Sequence, residues 1–306
     1  MTKIIPDKDL EKYIQAIGWT PGQKAPVRKP VNEPNKTQPT SQSIVNIDDI
    51  LKGNTFYSEE KKDDKYIGVA VALQEALDFI GTDGYVATMP ELIAAKIKAD
   101  KSHDFWQKWY AIHTEENIGV DKKGRFYTAN EPVLVLVNGG GILTPDRIMK
   151  AYDGGLVNNS AKYEFTEFDN LLDGQLPDGS SIKLFSFEDI KKGVSNLPHR
   201  FGVVMPYSTA QGTESGYHNK KAFMENPLVI ARAGGVKNLE SYYKKAKNSD
   251  GNLGCWHPFN DRDASVPQGR VLFLNINSSG LNGYDNLSSD GLFVGVAPEA
   301  HVARKL

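Results

Sequence analysis

The sequence predicts an α+β fold in which helices come early and short, mostly antiparallel strands follow. Three observations predict it. Apolar residues lie almost all round the stretch Ile67–Ile80, which is typical of a buried helix. Short apolar runs separated by Gly, Asn and Ser turns dominate the chain after about residue 120, which is typical of strands. Because the helices precede the strands instead of alternating with them, a doubly wound parallel sheet is disfavoured.

An arm is predicted to precede the folded domain. Residues 7–17 have the pattern of a short amphipathic helix that Asp7 caps and Gly18 ends. From Thr20 to Ser43 the composition changes to Pro, Lys, Asn, Gln and Thr, which bury too little apolar surface to fold alone. We therefore predict a short helix and an extended, Pro-stiffened arm over residues 1–45, with the domain over residues 46–306.

The elements of the domain follow from hydrophobic pattern and turn residues. Helices are predicted over Ile67–Ile80, Pro90–Ala99, Ser102–His113 and Leu239–Lys247. Strands are predicted over Arg125–Thr128, Val133–Val137, Ile182–Phe187, Gly202–Pro206, Leu228–Ala231, Val271–Asn275 and Leu292–Val296.

Charge and cysteine content exclude several classes of function. The 306 residues carry a net charge of -2 and a pI near 6.3, which gives no basic surface for nucleic acid or an anionic membrane. The single cysteine, Cys255, excludes an internal disulfide and a cysteine-rich metal site. Neither a signal peptide nor a membrane-spanning apolar run is evident. We expect synthesis in a cytoplasm and, for a role outside a cell, export by another route such as a virion.

A glycine-rich turn is the first candidate for chemistry. Asn138-Gly139-Gly140-Gly141 follows an apolar strand and precedes Thr144-Pro145, a helix start, so that a phosphate bound at the helix N-terminus is one interpretation. The spacing matches neither a dinucleotide fingerprint nor a Walker loop. A tight connection is the favoured interpretation.

Other reactive residues are more easily explained structurally. Cys255-Trp256-His257 has the order of a papain-like motif, but Pro258 blocks the helix that would activate the thiol, so a free, partly buried thiol beside an aromatic is predicted. Asp261 and Asp263 flank Arg262 and predict a loop salt bridge. The polar loop Ser208–Lys221, with His218, is an open candidate for lining a site. The six histidines form no metal-binding pair on a helix face, and no catalytic, metal or cofactor site is predicted.

The segment Asn275–Asp290, here named the Asn/Ser-rich run, has an unusual composition. It lies between two predicted strands and is dense in Asn, Ser, Gly, Asp and Tyr, with Leu281 and Leu287 as predicted inward anchors. These residue types fill antibody contact loops, where tyrosine gives rigid contact area and small polar residues give adaptable hydrogen bonds. They are also favoured in ordinary long turns, so composition alone leaves both interpretations open.

The residues missing from the Asn/Ser-rich run favour recognition. The run contains no Lys, Glu, Gln, Met or Trp, although Lys and Glu are frequent elsewhere in the chain. These are the residues that an AAY asparagine codon cannot become when only its two adenines change, whereas Asn, Ser, Tyr, Asp, Gly, Ile and Leu are all reachable. The run also lies close to the C-terminal end of the sequence.

On these residues the chain resembles the variable proteins of diversity-generating retroelements, in which an error-prone reverse transcriptase rewrites adenines at the 3′ end of a gene. The resemblance covers about the last 50 residues: the His257-Pro258 loop, Gln268-Gly269-Arg270 before a strand, the Asn/Ser-rich run, and the closing strand from Gly291. Many members have Arg-Gly-Gly-Ser-Trp where this chain has Arg270-Val271-Leu272-Phe273-Leu274, which indicates a divergent branch.

The resemblance implies a C-type lectin fold of the formylglycine-generating-enzyme type that binds a partner without chemistry. It places the variable region at about residues 255–295 and leaves an insertion at about 120–200. The partner would be a protein or glycan on a target surface, and the chain would be displayed on a virion or cell surface. The predicted contact residues are Asn275, Asn277, Ser278, Ser279, Asn282, Tyr284, Asp285, Asn286, Ser288, Ser289 and Asp290.

Two alternatives remain open at this point. One is an enzyme for a phosphorylated small molecule that uses the turn Gly139–Thr144 with Asp261 or His218. The other is an assembly component that docks or oligomerises through residues 1–45. Among the predicted contact residues Tyr284 is expected to contribute most binding energy, because aromatic residues dominate contact hot spots.

Overall fold

A long antiparallel pair of strands forms the centre of the larger sheet. The computed structural model describes residues 45–154, 156–257, 262–283 and 287–298. Within them β5 spans Tyr110–Asp121 and β6 spans Glu131–Asn138, paired from Thr114 opposite Asn138 to Asp121 opposite Glu131. On its other side β5 pairs with β12, with a register shift between Val271 and Leu272.

The strands are numbered in chain order, and most pairs are antiparallel. The bounds are β1 Asn54–Ser58, β2 Lys61–Lys62, β3 Lys65–Tyr66, β4 Tyr85–Val86, β5 Tyr110–Asp121, β6 Glu131–Asn138, β7 Ala161–Lys162, β8 Lys183–Ser186, β9 Phe201–Pro206, β10 Gly216–His218, β11 Leu253–Trp256, β12 Gln268–Leu274, β13 Leu281–Asn282 and β14 Gly291–Val296. The larger sheet has the order β10-β11-β13-β12-β5-β6-β9-β8, with β7 beside β12. A smaller sheet has the order β1-β14-β4, and β2 pairs with β3. The pairs β11–β13 and β8–β9 are parallel.

Helices connect and cover these strands. Their bounds are Ile47–Leu51, Gly68–Ile80, Met89–Lys98, Asp104–Gln107, Pro145–Gly154, Phe165–Leu172, Phe187–Lys192, Tyr207–Gln211, Lys220–Glu225, Pro227–Arg232 and Leu239–Ala246. Helix Gly68–Ile80 packs against β1 and β14, and helix Met89–Lys98 packs against β5 and β12. A capping box begins the second of these, because the Glu91 side chain accepts the Thr88 N–H at 2.9 Å.

Alternate residues of the central strands enter two separate cores. On β12, Leu272 and Leu274 enter the core that contains helix Met89–Lys98, while Val271 and Phe273 enter the core that contains helix Gly68–Ile80. Side chains alternate between the faces of a strand, so two covered faces require apolar residues at consecutive positions. The larger sheet is therefore buried on both sides at its centre.

Most predicted elements are confirmed. The predicted helices Ile67–Ile80, Pro90–Ala99 and Leu239–Lys247 are present within one or two residues. The predicted strands that correspond to β6, β8, β9, β12 and β14 are also present.

Three predicted elements are wrong. Ser102–His113 is helical only over Asp104–Gln107, since β5 begins at Tyr110 and pairs on both sides. Leu228–Ala231 is a helix instead of a strand, because the Asn226 side chain accepts the N–H groups of Leu228 and Val229 and starts a helix at Pro227.

The predicted strand Arg125–Thr128 is the third wrong element. The Asp121 carboxylate accepts the backbone N–H of Arg125 at 2.6 Å and folds the segment into a turn. The Arg125 guanidinium then binds Asp169 and Asp173 on helix Phe165–Leu172 and the residue after it. The segment thus has ion-pair partners where a strand would need a backbone partner.

The domain limits stay a prediction. The described residues all lie within one compact unit, Gln38–Leu306, and the arm over residues 1–45 lies outside them except for Val45. The stretch 120–200 that was predicted to contain an insertion includes β6, a central strand of the larger sheet. Among the described residues, no helix is long and apolar enough to cross a membrane.

Candidate functional site

The Asn/Ser-rich run connects β12 in the larger sheet to β14 in the smaller sheet. It leaves β12 through a 3₁₀ turn, Asn277–Ser279, that the Asn275 N–H closes onto the Gly280 carbonyl at 2.9 Å. Gly280 has φ 69°, and a Cβ there would overlap the Gly254 carbonyl oxygen, so this turn requires glycine. The chain then forms β13 between β11 and β12.

The predicted contact residues differ in exposure. Asn277 is exposed and has φ 43°, in the left-handed region that asparagine tolerates better than most residues. Asn282 on β13 is buried, with 6% of its surface exposed. The partly exposed residues are Asn275, Ser278, Ser279, Ser288, Ser289 and Asp290. Tyr284, Asp285 and Asn286 lie outside the described residues. A contact role for these side chains stays a prediction.

Leu281 and Leu287 are buried as predicted. Both side chains are fully inaccessible to solvent. Leu281 enters the core that contains helix Met89–Lys98, and Leu287 enters the core that contains helix Gly68–Ile80. The Asn/Ser-rich run therefore has one buried leucine in each of the two cores.

Buried side chains outside the Asn/Ser-rich run hold its first half by the backbone. The Lys96 ammonium donates to the Asn275 carbonyl at 2.7 Å, and burial, with a further contribution from Lys101, lowers the pKa of Lys96 to about 7. The Trp256 indole donates to the Ser279 carbonyl at 3.0 Å.

The second half is held in the same way. Arg232 donates to the Leu281 carbonyl at 3.3 Å, and Arg270 donates to the Gly283 carbonyl at 2.9 Å. The Tyr152 hydroxyl donates to the Leu287 carbonyl. Because all these bonds end on carbonyl oxygens, they do not depend on which side chains the bonded residues carry.

A buried charge cluster lies beneath the Asn/Ser-rich run. Arg232 and Arg262 approach the two carboxylate oxygens of Glu116 at 3.0 and 3.6 Å, and all three side chains are fully buried. Burial alone would raise the pKa of Glu116, but Arg232, Arg262 and Arg270 together lower it. The carboxylate therefore stays charged and holds the Arg232 guanidinium in place. The same guanidinium donates to the Leu281 carbonyl.

The structure pairs Arg262 with Glu116, and the predicted loop salt bridge with Asp261 stays a prediction. Arg262 faces Glu116, because a buried guanidinium needs a buried carboxylate, while Asp263 accepts bonds from the backbone and hydroxyl of Ser265 at 2.8 and 2.7 Å. Asp261, the other flanking residue, lies outside the described residues. No group of three or more His, Cys, Asp or Glu among the described side chains is arranged to hold a metal ion.

The Glu115 carboxylate of β5 lies against the glycine-rich turn. The Glu115 side chain accepts the Leu143 N–H at 2.9 Å, and a Cβ at Gly141 would overlap it. Burial raises the pKa of Glu115 to about 7, although the Leu143 and Ile142 N–H groups oppose the shift. A phosphate at this turn would therefore meet a buried carboxylate that already accepts the Leu143 N–H.

The remaining candidates belong to strands and a helix of the fold. Cys255 is a free thiol, as predicted, fully buried on β11, and burial raises its pKa. His218 is buried on β10 opposite Leu253. The loop Ser208–Lys221 supplies helix Tyr207–Gln211 and β10, so that part of it belongs to the larger sheet.

Sequence reasoning missed the donors that hold the Asn/Ser-rich run. Lys96, Tyr152 and Arg232 lie on three separate helices, between 49 and 179 residues before their carbonyl partners. A side chain that bonds a carbonyl leaves no residue-type signal at the partner position. An inward-facing lysine or arginine in an apolar helical pattern is the signal that was available for Lys96 and Arg232.

Among the comparisons with known proteins, a match was found with a solved structure. No protein-family model matches the chain, and no curated protein matches it. A solved structure from Nanoarchaeota, described as "Accommodation of massive sequence variation in Nanoarchaeota by the C-type lectin fold", matches with a TM-score of 0.60 and 26% identity over 80% of this chain and 97% of that chain. The fold is therefore the predicted C-type lectin fold, and the predicted resemblance to variable proteins of diversity-generating retroelements is confirmed.

Proposed function

We propose that this chain is a ligand-recognition protein that presents a hypervariable surface, the Asn/Ser-rich run, on a rigid C-type lectin scaffold. Its partner is a protein or glycan on a target surface, and the chain acts while displayed on a virion, such as a tail fibre or tip, or on a cell surface. The similar structure from Nanoarchaeota supports the tolerance of sequence variation that this role needs.

The way the Asn/Ser-rich run is held is the observation that carries the proposal. Five side chains outside it, Lys96, Tyr152, Trp256, Arg232 and Arg270, donate to its carbonyl groups. These bonds fix the backbone whatever side chains the run displays. Substitutions on its exposed face therefore change the binding surface and leave the scaffold nearly unaffected.

The structure also divides the Asn/Ser-rich run into positions with and without freedom to vary. A Cβ at Gly280 overlaps the Gly254 carbonyl, and a Cβ at Gly283 would lie 2.5 Å from the Arg232 guanidinium. Leu281 and Leu287 fill the two cores. In contrast, Ser278, Ser279, Ser288, Ser289 and Asp290 are partly exposed.

Sequencing the DNA on either side of the gene tests the proposal. We expect a reverse transcriptase gene and a near-copy of the 3′ end that differs from the gene mainly where the copy has adenine. The copy should have adenine in the first two positions of codons for exposed residues such as Ser278 and Ser289. It should lack adenine there at the codons for Gly280, Leu281, Gly283 and Leu287.

Two outcomes contradict the proposal. If no such repeat were found, the Asn/Ser-rich run would be an ordinary long connection between strands and the proposal would be wrong. A repeat with adenines at the codons for Gly280 and Leu281 would contradict the division into fixed and variable positions, because substitution there would disturb the scaffold.

A further inference from the structure

An exposed tyrosine lies beside the Asn/Ser-rich run on a different part of the chain. Tyr217 on β10 has half of its surface exposed. It lies opposite Gly254 on β11, and a Cβ at Gly254 would lie 2.6 Å from both the Ser279 carbonyl and the Trp256 indole nitrogen. Directly opposed residues of an antiparallel pair point to the same face. The Tyr217 side chain therefore stands on the face where the 3₁₀ turn Asn277–Ser279 crosses β11.

Trp256 joins this tyrosine to the Asn/Ser-rich run. The rings of Tyr217 and Trp256 are 5.4 Å apart at 86°, an edge-to-face pair. The indole N–H of Trp256 donates to the Ser279 carbonyl, and its own carbonyl accepts the Gly283 N–H at 2.9 Å. The position of Tyr217 relative to the run is thus set by contacts that no exposed side chain of the run makes.

We propose that Tyr217 is a constant contact residue of the binding surface, shared by every version of the Asn/Ser-rich run, and that its partner is a folded protein. This inference rests on the proposed function and extends the surface outside the predicted variable region 255–295. A fixed aromatic beside adaptable small polar residues combines a rigid hot-spot anchor with a surface that changes its specificity.

The observations favour a protein partner over a glycan. A sugar ring stacks on a flat aromatic face, but the perpendicular rings of Tyr217 and Trp256 do not form one flat platform. The nearest part of the run, Asn277–Ser279, carries no charge. An exposed tyrosine among small uncharged side chains is the composition of antibody contact surfaces. Charged residues are also depleted at the centre of protein–protein interfaces.

A display selection tests the inference with a defined probe. The full chain, with Ser278, Ser279, Ser288 and Ser289 randomised, is displayed and selected for binding to lysozyme. Tyr217→Ala, Tyr217→Phe and Phe165→Ala are then introduced into the selected binders. Phe165 is the matched control, because it is also half exposed but lies on helix Phe165–Leu172.

We expect Tyr217→Ala to weaken lysozyme binding by about tenfold or more in most binders, as for an aromatic hot spot. Tyr217→Phe should keep affinity within about threefold, and Phe165→Ala should leave it unchanged. The melting temperature of Tyr217→Ala should stay within about 2 °C of the parent, since the side chain is half exposed.

The contrary outcomes are distinguishable. Binders that tolerate Tyr217→Ala would overturn the inference while leaving the proposed function in place. A library whose members fold but yield no lysozyme binder would overturn the inference of a surface for folded proteins, while the proposed function is tested separately by the DNA repeat. Binding of the parent chain to a glycan array that is lost on Tyr217→Ala would overturn the assignment of a protein partner.

Discussion

Two loops leave the strands on either side of β5 and are held in opposite ways. The Asn/Ser-rich run follows β12 and accepts hydrogen bonds on its carbonyls from side chains elsewhere, such as Lys96 and Arg232. The glycine-rich turn Asn138–Gly141 follows β6, and the backbone N–H groups just after it donate to the Glu115 carboxylate.

The difference shows what allows a loop to change its sequence. In the glycine-rich turn, Gly139 and Gly140 have φ 79° and 88°, and a Cβ at Gly141 would overlap Glu115, so the residue types are part of the structure. In the Asn/Ser-rich run, the restricted positions among its described residues are Gly280, Gly283, the two leucines and the buried Asn282, while the serines and Asp290 are partly exposed. Loops held by their carbonyls keep freedom at their side chains.

Removing a side chain that donates to the carbonyls of the Asn/Ser-rich run should have the largest effect on stability. Arg232→Met leaves the Glu116 carboxylate in the interior with Arg262 at 3.6 Å and removes the donor to the Leu281 carbonyl. Removing one partner of a buried ion pair typically costs about 3 to 5 kcal/mol. We expect a loss of that size in the free energy of unfolding, measured by urea denaturation.

Arg147→Met is the matched control for this change. Arg147 pairs with Glu167 at 2.9 Å, but both side chains are partly exposed and far from the Asn/Ser-rich run in the chain. A loss of about 1 kcal/mol or less is expected there, as for other ion pairs near solvent. If Arg232→Met cost no more than Arg147→Met, the cluster around Glu116 would not hold the run.

A medium effect, which grows as the pH rises from 4.5 to about 7, is expected at the glycine-rich turn. Burial raises the pKa of Glu115 from 4.5 to about 7, so the folded state binds this proton more tightly than the unfolded state. Stability from Glu115 is present below pH 4.5 and is lost as pH rises through 7, by up to about 3 kcal/mol. Glu115→Gln should remove this loss.

The measurement is the free energy of unfolding of parent and Glu115→Gln between pH 5 and 8. His113, whose pKa burial lowers to about 3, contributes the opposite trend, with stability lost as pH falls below 6.5. That trend is present in both proteins, so their difference isolates Glu115. A difference that stays constant with pH would show that Glu115 titrates normally in the folded state.

The smallest effect is expected on the exposed face of the Asn/Ser-rich run. Ser278→Asn, Ser279→Asn and Ser288→Tyr, made together, should change the free energy of unfolding by less than about 0.5 kcal/mol per position. These side chains are partly exposed, and the carbonyl of Ser279 stays bound to Trp256. The thermal midpoint should be almost unchanged.

Leu281→Ala provides the contrast within the same run. The side chain is fully buried, and loss of a buried leucine typically costs about 2 to 5 kcal/mol. If the triple serine variant were destabilised as much as Leu281→Ala, the run would be structural throughout and the recognition proposal would be contradicted.

The strands made mostly of apolar residues were predictable from the sequence. Strand β5 was not. Its residues Glu115, Glu116 and Asn117 have low strand propensity and are buried. Each is accommodated by a partner distant in sequence: the Leu143 N–H, Arg232 and the Tyr163 hydroxyl. Sequence patterns carry propensity and periodicity, but not the partners that override them.

The candidate site was predictable in part for a related reason. The Asn/Ser-rich run is visible in the sequence because its composition differs from that of the rest of the chain. Leu281 and Leu287 are visible as apolar residues in a polar stretch. Tyr217 carries no such signal, because its place beside the run comes from the pairing of β10 with β11.

The path of the Asn/Ser-rich run between two sheets has a mechanical consequence. The run begins after β12, which is hydrogen-bonded to β5. It ends at β14, which is hydrogen-bonded to β1 and β4. In the proposed role, a pulling force on a bound partner is therefore shared between the strand hydrogen bonds of two sheets.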